Sequence, residues 1–229
     1  MARELPIFPL PIVLFPGAPQ PLHIFEPRYQ QLLADCQDGD RRFGIAYVAA
    51  DPAAGADPVP DAGAVGCVAL IRSIQALPDG RSNIVTVGER RFVLRRWVES
   101  ARPYRVAEVE EFDDEPIDLS EVTTLASDVR AGFTRLARAL AVLTERDDEE
   151  EVPLAPEPGP LSFQVAAALE LDADAKRALQ AVRSTTLRLR QLAAVLAPLA
   201  ADAERRVAVR QRARGNGRGG RHPEIERAT

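Results

Sequence analysis

Over the first hundred or so residues, apolar positions come in short runs broken by proline, glycine and charge, which is the spacing of strands rather than of helices. Leu5–Phe8 and Leu22–Phe25 are β-type runs, and Pro16-Gly17 marks a turn between them. Pro27 suits the first turn of a helix, where its missing N–H costs nothing. That helix continues from Arg28 to Cys36, with Tyr29, Leu32, Leu33 and Cys36 on one face. Phe43–Ala50, Val65–Leu77, Asn83–Val98 and Tyr104–Phe112 read as further strands. Residues 51–64 hold three prolines and two glycines and form an exposed loop. Asp79-Gly80 is hairpin chemistry, and Gly88, inside the longest strand, marks a bulge that helps a sheet curl.

Beyond about residue 117 the period changes. Asp118-Leu-Ser-Glu121 resembles a capping box with Asp in the first place. Val122, Leu125, Val129, Phe133, Leu136, Leu140 and Leu143 then recur at spacings of three and four, the buried stripe of one long helix. Residues 145–161 carry four prolines and an acidic run, so they read as a linker or exposed loop. Ser162–Leu171 and Asp172–Ala181 are two short helices, with Asp172 a good N-cap. Ser184 caps a last long helix bearing Leu189, Leu192, Leu196, Leu199, Ala203 and Val207, which Pro198 should kink or end. Past Arg210 the chain turns glycine- and arginine-rich and has nothing to bury. The expected fold is therefore α+β: a β-rich subdomain over residues 1–116, a helical bundle over 117–209 and a disordered basic tail over 210–229.

The opening, with F-P-L at Phe8–Leu10, L-F-P-G at Leu14–Gly17 and P-L-H-I-F-E-P-R-Y at Pro21–Tyr29, resembles that of the Lon N-terminal domain family. That family comprises the substrate-recognition module of ATP-dependent Lon proteases and stand-alone relatives. The resemblance continues through F-G-I at Phe43–Ile45, G-x-V-A-x-I at Gly66–Ile71, D-G-R-x-N at Asp79–Asn83, V-G-E-R-R-F at Val87–Phe92 and L-S-F at Leu161–Phe163. It implies a curled PUA-like sheet or open barrel with one short helix, followed by a helical bundle. It also implies a module that binds polypeptide.

Composition narrows the chemistry. The chain has 229 residues, is 46% hydrophobic and carries a net charge of −5, so a core can form. No apolar run approaches the ~20 residues of a membrane span, and no signal-peptide pattern opens the chain. Cys36 and Cys67 are too few for a disulfide framework and read as buried thiols, which places the protein in the cytoplasm. Lys176 is the only lysine beside 28 arginines, and its helical context reads as surface.

There is no G-x-x-x-x-G-K-[ST] loop for a nucleotide, and no second candidate base for a serine–lysine protease. Two histidines without ligand spacing offer no metal site. No catalytic residue, metal or cofactor is therefore expected. His23, Glu26, Arg28 and Tyr29 form the one polar group that invites a hydrolase reading. Each has a structural role that accounts for it: Glu26 at a helix start, Arg28 pairing with an acid, Tyr29 in the core and His23 as a hydrogen-bonded strand residue. Arg90, Arg91, Arg95 and Arg96 flank Phe92, and with the basic tail they make an RNA-binding protein the alternative. Strand alternation would divide each arginine pair between opposite faces. The leading expectation is a non-enzymatic, ATP-independent module or adaptor. It would bind unfolded or apolar polypeptide segments, alone or for a separate protease, in a groove between its halves. Leu14, Phe15 and Pro16 at a loop tip are the candidate contacts.

Overall fold

The computed structural model describes residues 2–49, 59–116, 119–145 and 153–216. Its β part comprises strands β1 (Arg3–Leu10), β2 (Pro19–Ile24), β3 (Arg42–Tyr47), β4 (Val65–Ala76), β5 (Ser82–Val98) and β6 (Arg105–Glu111), with helix α1 (Pro27–Asp38) after β2. The strands form one sheet in the order β2-β5-β4-β3-β1-β6, and an additional β5–β6 pairing closes the curl. Every pairing is antiparallel except β1 with β3. Closure depends on the length of β5: its first half pairs with β2 and its second half with β6. The ladder between β4 and β5 slips between Cys67 and Ala69, and Gly88, opposite Ala69, borders this irregularity.

β2 is the open edge, and Pro19 and Pro21 sit at alternate positions along it. Each removes a donor that a further strand would need, which blocks edge-to-edge pairing. The two turns read from sequence form for the expected reason. Gly17 and Gly80 adopt positive φ of 78° and 82°. The Ala18 N–H donates to the Phe15 carbonyl across Pro16-Gly17, and the Leu77 N–H donates to the Arg81 carbonyl across the β4–β5 hairpin.

The helical part comprises α2 (Leu119–Thr144), α3 (Pro158–Ala168), α4 (Ala173–Ala181) and α5 (Thr185–Asn216), with α2 and α5 packed along each other. Asp172 caps α4 through a bond from the Ala175 N–H, and the Ser184 hydroxyl accepts from the Leu187 N–H at the start of α5. The proposed capping residue Asp118, the acidic run from 146 to 152 and the tail after Asn216 lie outside the described residues, as do residues 50–58 of the β3–β4 loop.

Several expectations need correction. Helix α3 begins at Pro158, inside the segment read as linker, because proline at the first helical position loses no bond. It ends by Leu169, which is extended, rather than at Leu171. Leu140 and Leu199 are exposed, and Ala139 and Ala200 occupy the core instead. A stripe drawn at a 3.5-residue period drifts ~20° per heptad around a straight helix, so its far end rotates out. Pro198 does not end α5, which runs on to Asn216, past the boundary expected at 209. The ring lies on the solvent side, so the helix loses one donor there while Leu196 and Ala200 still pack inward. Pro198→Ala should therefore raise the unfolding free energy by up to about 3 kcal/mol in urea titration. No gain would mean that packing has already absorbed the defect.

Of three buried clusters among the described residues, one (with Leu5, Ile7, Phe92 and Leu94) lies within the β part and the other two meet between the halves. Tyr29, Leu32 and Leu33 of α1 join Phe43, Ile45 and Ile84 in one, while α2, α3 and α5 enclose the other. The segment between β1 and β2 serves both. Ile12 and Leu14 pack into the β-side core, whereas Val13 and Phe15 pack into the helical one. An extended chain sends successive side chains to opposite sides, so four consecutive apolar residues suit a segment buried on both faces.

Candidate functional site

Leu14 and Phe15 are 2% and 0% exposed, so they form no loop tip open to a partner. Phe15 stands 6.3 Å from the ring of Phe163, inside the helical core. Pro16 is half-buried. Phe15 is thus corrected to a structural residue, whereas Leu14, though buried, still borders a groove where the halves meet. A run with no polar face gave no hint of which neighbour would cover it.

A solvent-open groove of about 310 Å³ does lie where the halves meet. One wall is the β1–β2 segment, with Pro11, Ile12, Val13 and Ala18. The other is the end of α3 and the start of α4, with Ala167, Leu171 and Ala173. Gln20 and Lys176 are its polar side chains. Lys176 is half-buried rather than a plain surface residue, and its Nζ donates to the Ala167 carbonyl at 3.3 Å. Cations are favoured at such a helix end.

The loop wall is fixed from both sides. From β5, the Gly17 N–H donates to the Gly88 carbonyl at 2.8 Å and the Gly88 N–H donates to the Ala18 carbonyl at 3.0 Å. The Thr86 hydroxyl donates to the Gln20 carbonyl at 3.0 Å. From α4, buried Gln180 donates its Nε2 to the Leu14 carbonyl at 2.7 Å. Glycine is required at 88, because a Cβ there would stand 2.2 Å from the Phe15 carbonyl oxygen.

Behind the groove a buried charge cluster joins the halves. Asp114 accepts from Arg91 of β5 and from Arg188 of α5, where Nη2–Oδ2 is 2.6 Å. The two guanidiniums are 3% and 0% exposed. Arg91 also donates to the carbonyls of Gln180 and Val182 at 2.5 and 2.7 Å, and Arg188 to Val182 at 2.8 Å and to the Ser162 hydroxyl at 2.7 Å. Burial pushes Arg91 down to about 10, which leaves it charged at neutral pH. In sequence Arg91 is indistinguishable from the neighbouring arginines of a basic stripe, and only its burial assigns this role.

The other polar candidates do not converge. His23 Nδ1 lies 2.7 Å from Asn83 Oδ1 across the β2–β5 ladder, as a strand residue should. Arg28 donates to Glu26 at 2.9 Å, and the buried Tyr29 ring packs 3.9 Å from that of Phe8. Arg90, Arg95 and Arg96 pair with Glu111, Glu110 and Glu108 on the neighbouring strand. Cys36 and Cys67 are free and buried, and desolvation pushes both thiols up to about 12, far from a reactive thiolate. Among the described residues no three His, Cys, Asp or Glu side chains group as a metal site. No described helix is long and apolar enough to cross a membrane.

Residues 4–197 match the family model of the ATP-dependent protease La (LON) substrate-binding domain. The chain belongs to this family. The Lon protease of Roseiflexus castenholzii is 30% identical over 195 residues, which is 84% of this chain and 24% of that protein. That of Cytophaga hutchinsonii is 33% identical over 138 residues, or 58% of this chain and 17% of the relative. The chain thus spans a quarter or less of these relatives, and the matched part is the Lon substrate-binding domain rather than the ATPase or protease portions. The structure of a Lon N-terminal domain protein from Xanthomonas campestris superposes with a TM-score of 0.60 at 28% identity, covering 84% of this chain and 98% of that one. The N-terminal domain of the Mycobacterium avium complex Lon protease also gives 0.60, at 20% identity, with 87% and 99% covered, and supports the fold alone. The α+β Lon-type architecture is therefore the one expected from sequence.

Proposed function

We propose that this chain is a non-enzymatic, ATP-independent polypeptide-binding module that holds exposed apolar segments of client proteins in the groove between its β and helical halves. The observation that carries the reading is the groove itself, in a chain of the Lon substrate-binding family. Apolar side chains make up most of its lining residues, interspersed with exposed backbone, Gln20 and Lys176, on segments held from both sides. Pre-formed walls reduce the ordering cost of capture, and a junction between substructures is a usual place for a ligand. The same surface would serve an adaptor that passes clients to a separate protease. The cytoplasm is the compartment that suits two free thiols. The alternative reading, RNA recognition through the β5 arginines, is weakened because Arg90, Arg95 and Arg96 face glutamates and Arg91 is buried.

The test is suppression of aggregation of a chemically unfolded client, without nucleotide, at near-stoichiometric ratio. Protection should persist at high salt, because apolar burial is not screened as charge pairing is. Ala173→Glu fills the groove with a carboxylate within reach of Lys176 one turn on. An acid in the first turn also suits the helix, so stability should hold. Protection should fall by about tenfold in client affinity, the equivalent of one lost apolar side-chain contact. Undiminished protection by a folded Ala173→Glu variant would move the client elsewhere on the molecule. Failure of the wild type on several unrelated clients would end the reading.

A further inference from the structure

A second concavity, of about 290 Å³, lies on the β half and shares no residue with the groove. Arg28, Arg102 and Arg105 line it together with Trp97, Ser100 and Tyr104, and among the described residues no carboxylate does. Its charge stands out against the adjoining ribbon. Along β5 and β6, Arg90, Arg95 and Arg96 each meet a glutamate on the facing strand. At the end of that ribbon only the exposed Glu99 follows, and it is not among the pocket's lining residues. Arg105 lies over the Trp97 ring, 5.9 Å from its centre, and Arg102 over the Tyr104 ring at 5.7 Å. Both are exposed, and neither makes an ion pair among the described residues. Asp35 bears on Arg102 at longer range, while its carboxylate accepts from the Tyr104 hydroxyl and from Gln31. Arg28 contributes one further guanidinium while paired with Glu26 at 2.8 Å.

We propose that this pocket binds the phosphate of a nucleotide, either as a free mononucleotide or as the phosphorylated end of a single RNA strand, with the base against Trp97. Guanidinium forks match phosphate oxygens in geometry and charge. The volume exceeds what a bare ion needs, and a base that replaces the Arg105 guanidinium over the half-exposed indole stacks on Trp97 while freeing Arg105 for the phosphate. The site is independent of the polypeptide groove, so either assignment can fail alone.

Trp97 is the only tryptophan in the chain, so its fluorescence reports this pocket alone. The full chain is titrated at low salt with AMP, adenosine, inorganic phosphate and a short 5′-phosphorylated RNA. AMP should quench Trp97 with a millimolar or tighter Kd, and adenosine and phosphate should each bind about tenfold more weakly or less. Arg102→Gln and Arg105→Gln should each weaken AMP by about tenfold while leaving the melting temperature unchanged, because both side chains are exposed. Equal response to AMP and RNA assigns the free nucleotide, and a much tighter response to RNA assigns the strand end. Three results overturn the proposal: no quenching by AMP or RNA, adenosine or phosphate binding as well as AMP, or undiminished binding by the Arg102→Gln/Arg105→Gln double variant. Client protection should not change in that variant.

Discussion

Asp114→Ala will lower the unfolding free energy by about 3 kcal/mol or more in urea titration at neutral pH. Among the described residues Asp114 is the one carboxylate bonded to Arg91 and Arg188, both almost wholly buried. Without it two guanidiniums remain inside with only carbonyl and hydroxyl acceptors, and an uncompensated buried charge is far costlier than a lost surface pair. Asp114 is itself 23% exposed, so water will replace part of what it provides, which sets the expectation at the low end of the usual range. Asp114→Asn should fall between wild type and alanine, since the amide oxygen still accepts. A loss below about 1 kcal/mol would show that the Gln180 and Val182 carbonyls suffice to hold the cluster.

Gly88→Ala is expected to cost a similar amount and to remove client protection as well. The added methyl would meet the Phe15 carbonyl oxygen at 2.2 Å and its carbon at 2.9 Å, both backbone atoms with no rotamer to give. The segment must lift, which breaks its two bonds to β5 and draws Phe15 from the helical core. Overpacking of this kind costs about 1–3 kcal/mol before the lost bonds are counted. Protection should be assayed at a temperature where circular dichroism shows the variant folded, so that loss of the groove is distinguished from loss of the protein. Wild-type stability in this variant would mean that the loop is not pinned at Gly88.

Strand and turn positions were readable because local chemistry dictates them. Pro16-Gly17 and Asp79-Gly80 take the positive φ that glycine permits, and the face of α1 follows from its spacing. Asp172 and Ser184 cap helices as their side chains allow. What failed was information held between elements. Four apolar residues in a row specify burial but not the partner, so Leu14 and Phe15 were read as a tip. Lys176 looked like any helical lysine, because the carbonyl it meets belongs to another helix. Arg91 sat among arginines that do face solvent. The Asp-Asp-Glu run after β6 was the sole trace of its partner, and such runs are usually only solvated.

The Leu14–Phe15 step also bears on the order in which the chain acquires its structure. Helices α2 to α5 are local and form quickly, but their shared interior, which already holds Phe163, lacks its second buried ring until Phe15 arrives from far upstream. Contacts between distant segments form late, because closing the intervening loop costs entropy before any burial compensates. The β-side interior meets the same delay in reverse, since Leu14 cannot seat while its neighbour is unplaced. A chain severed between the halves would leave the helical fragment without Phe15 and the β fragment with Phe15 uncovered.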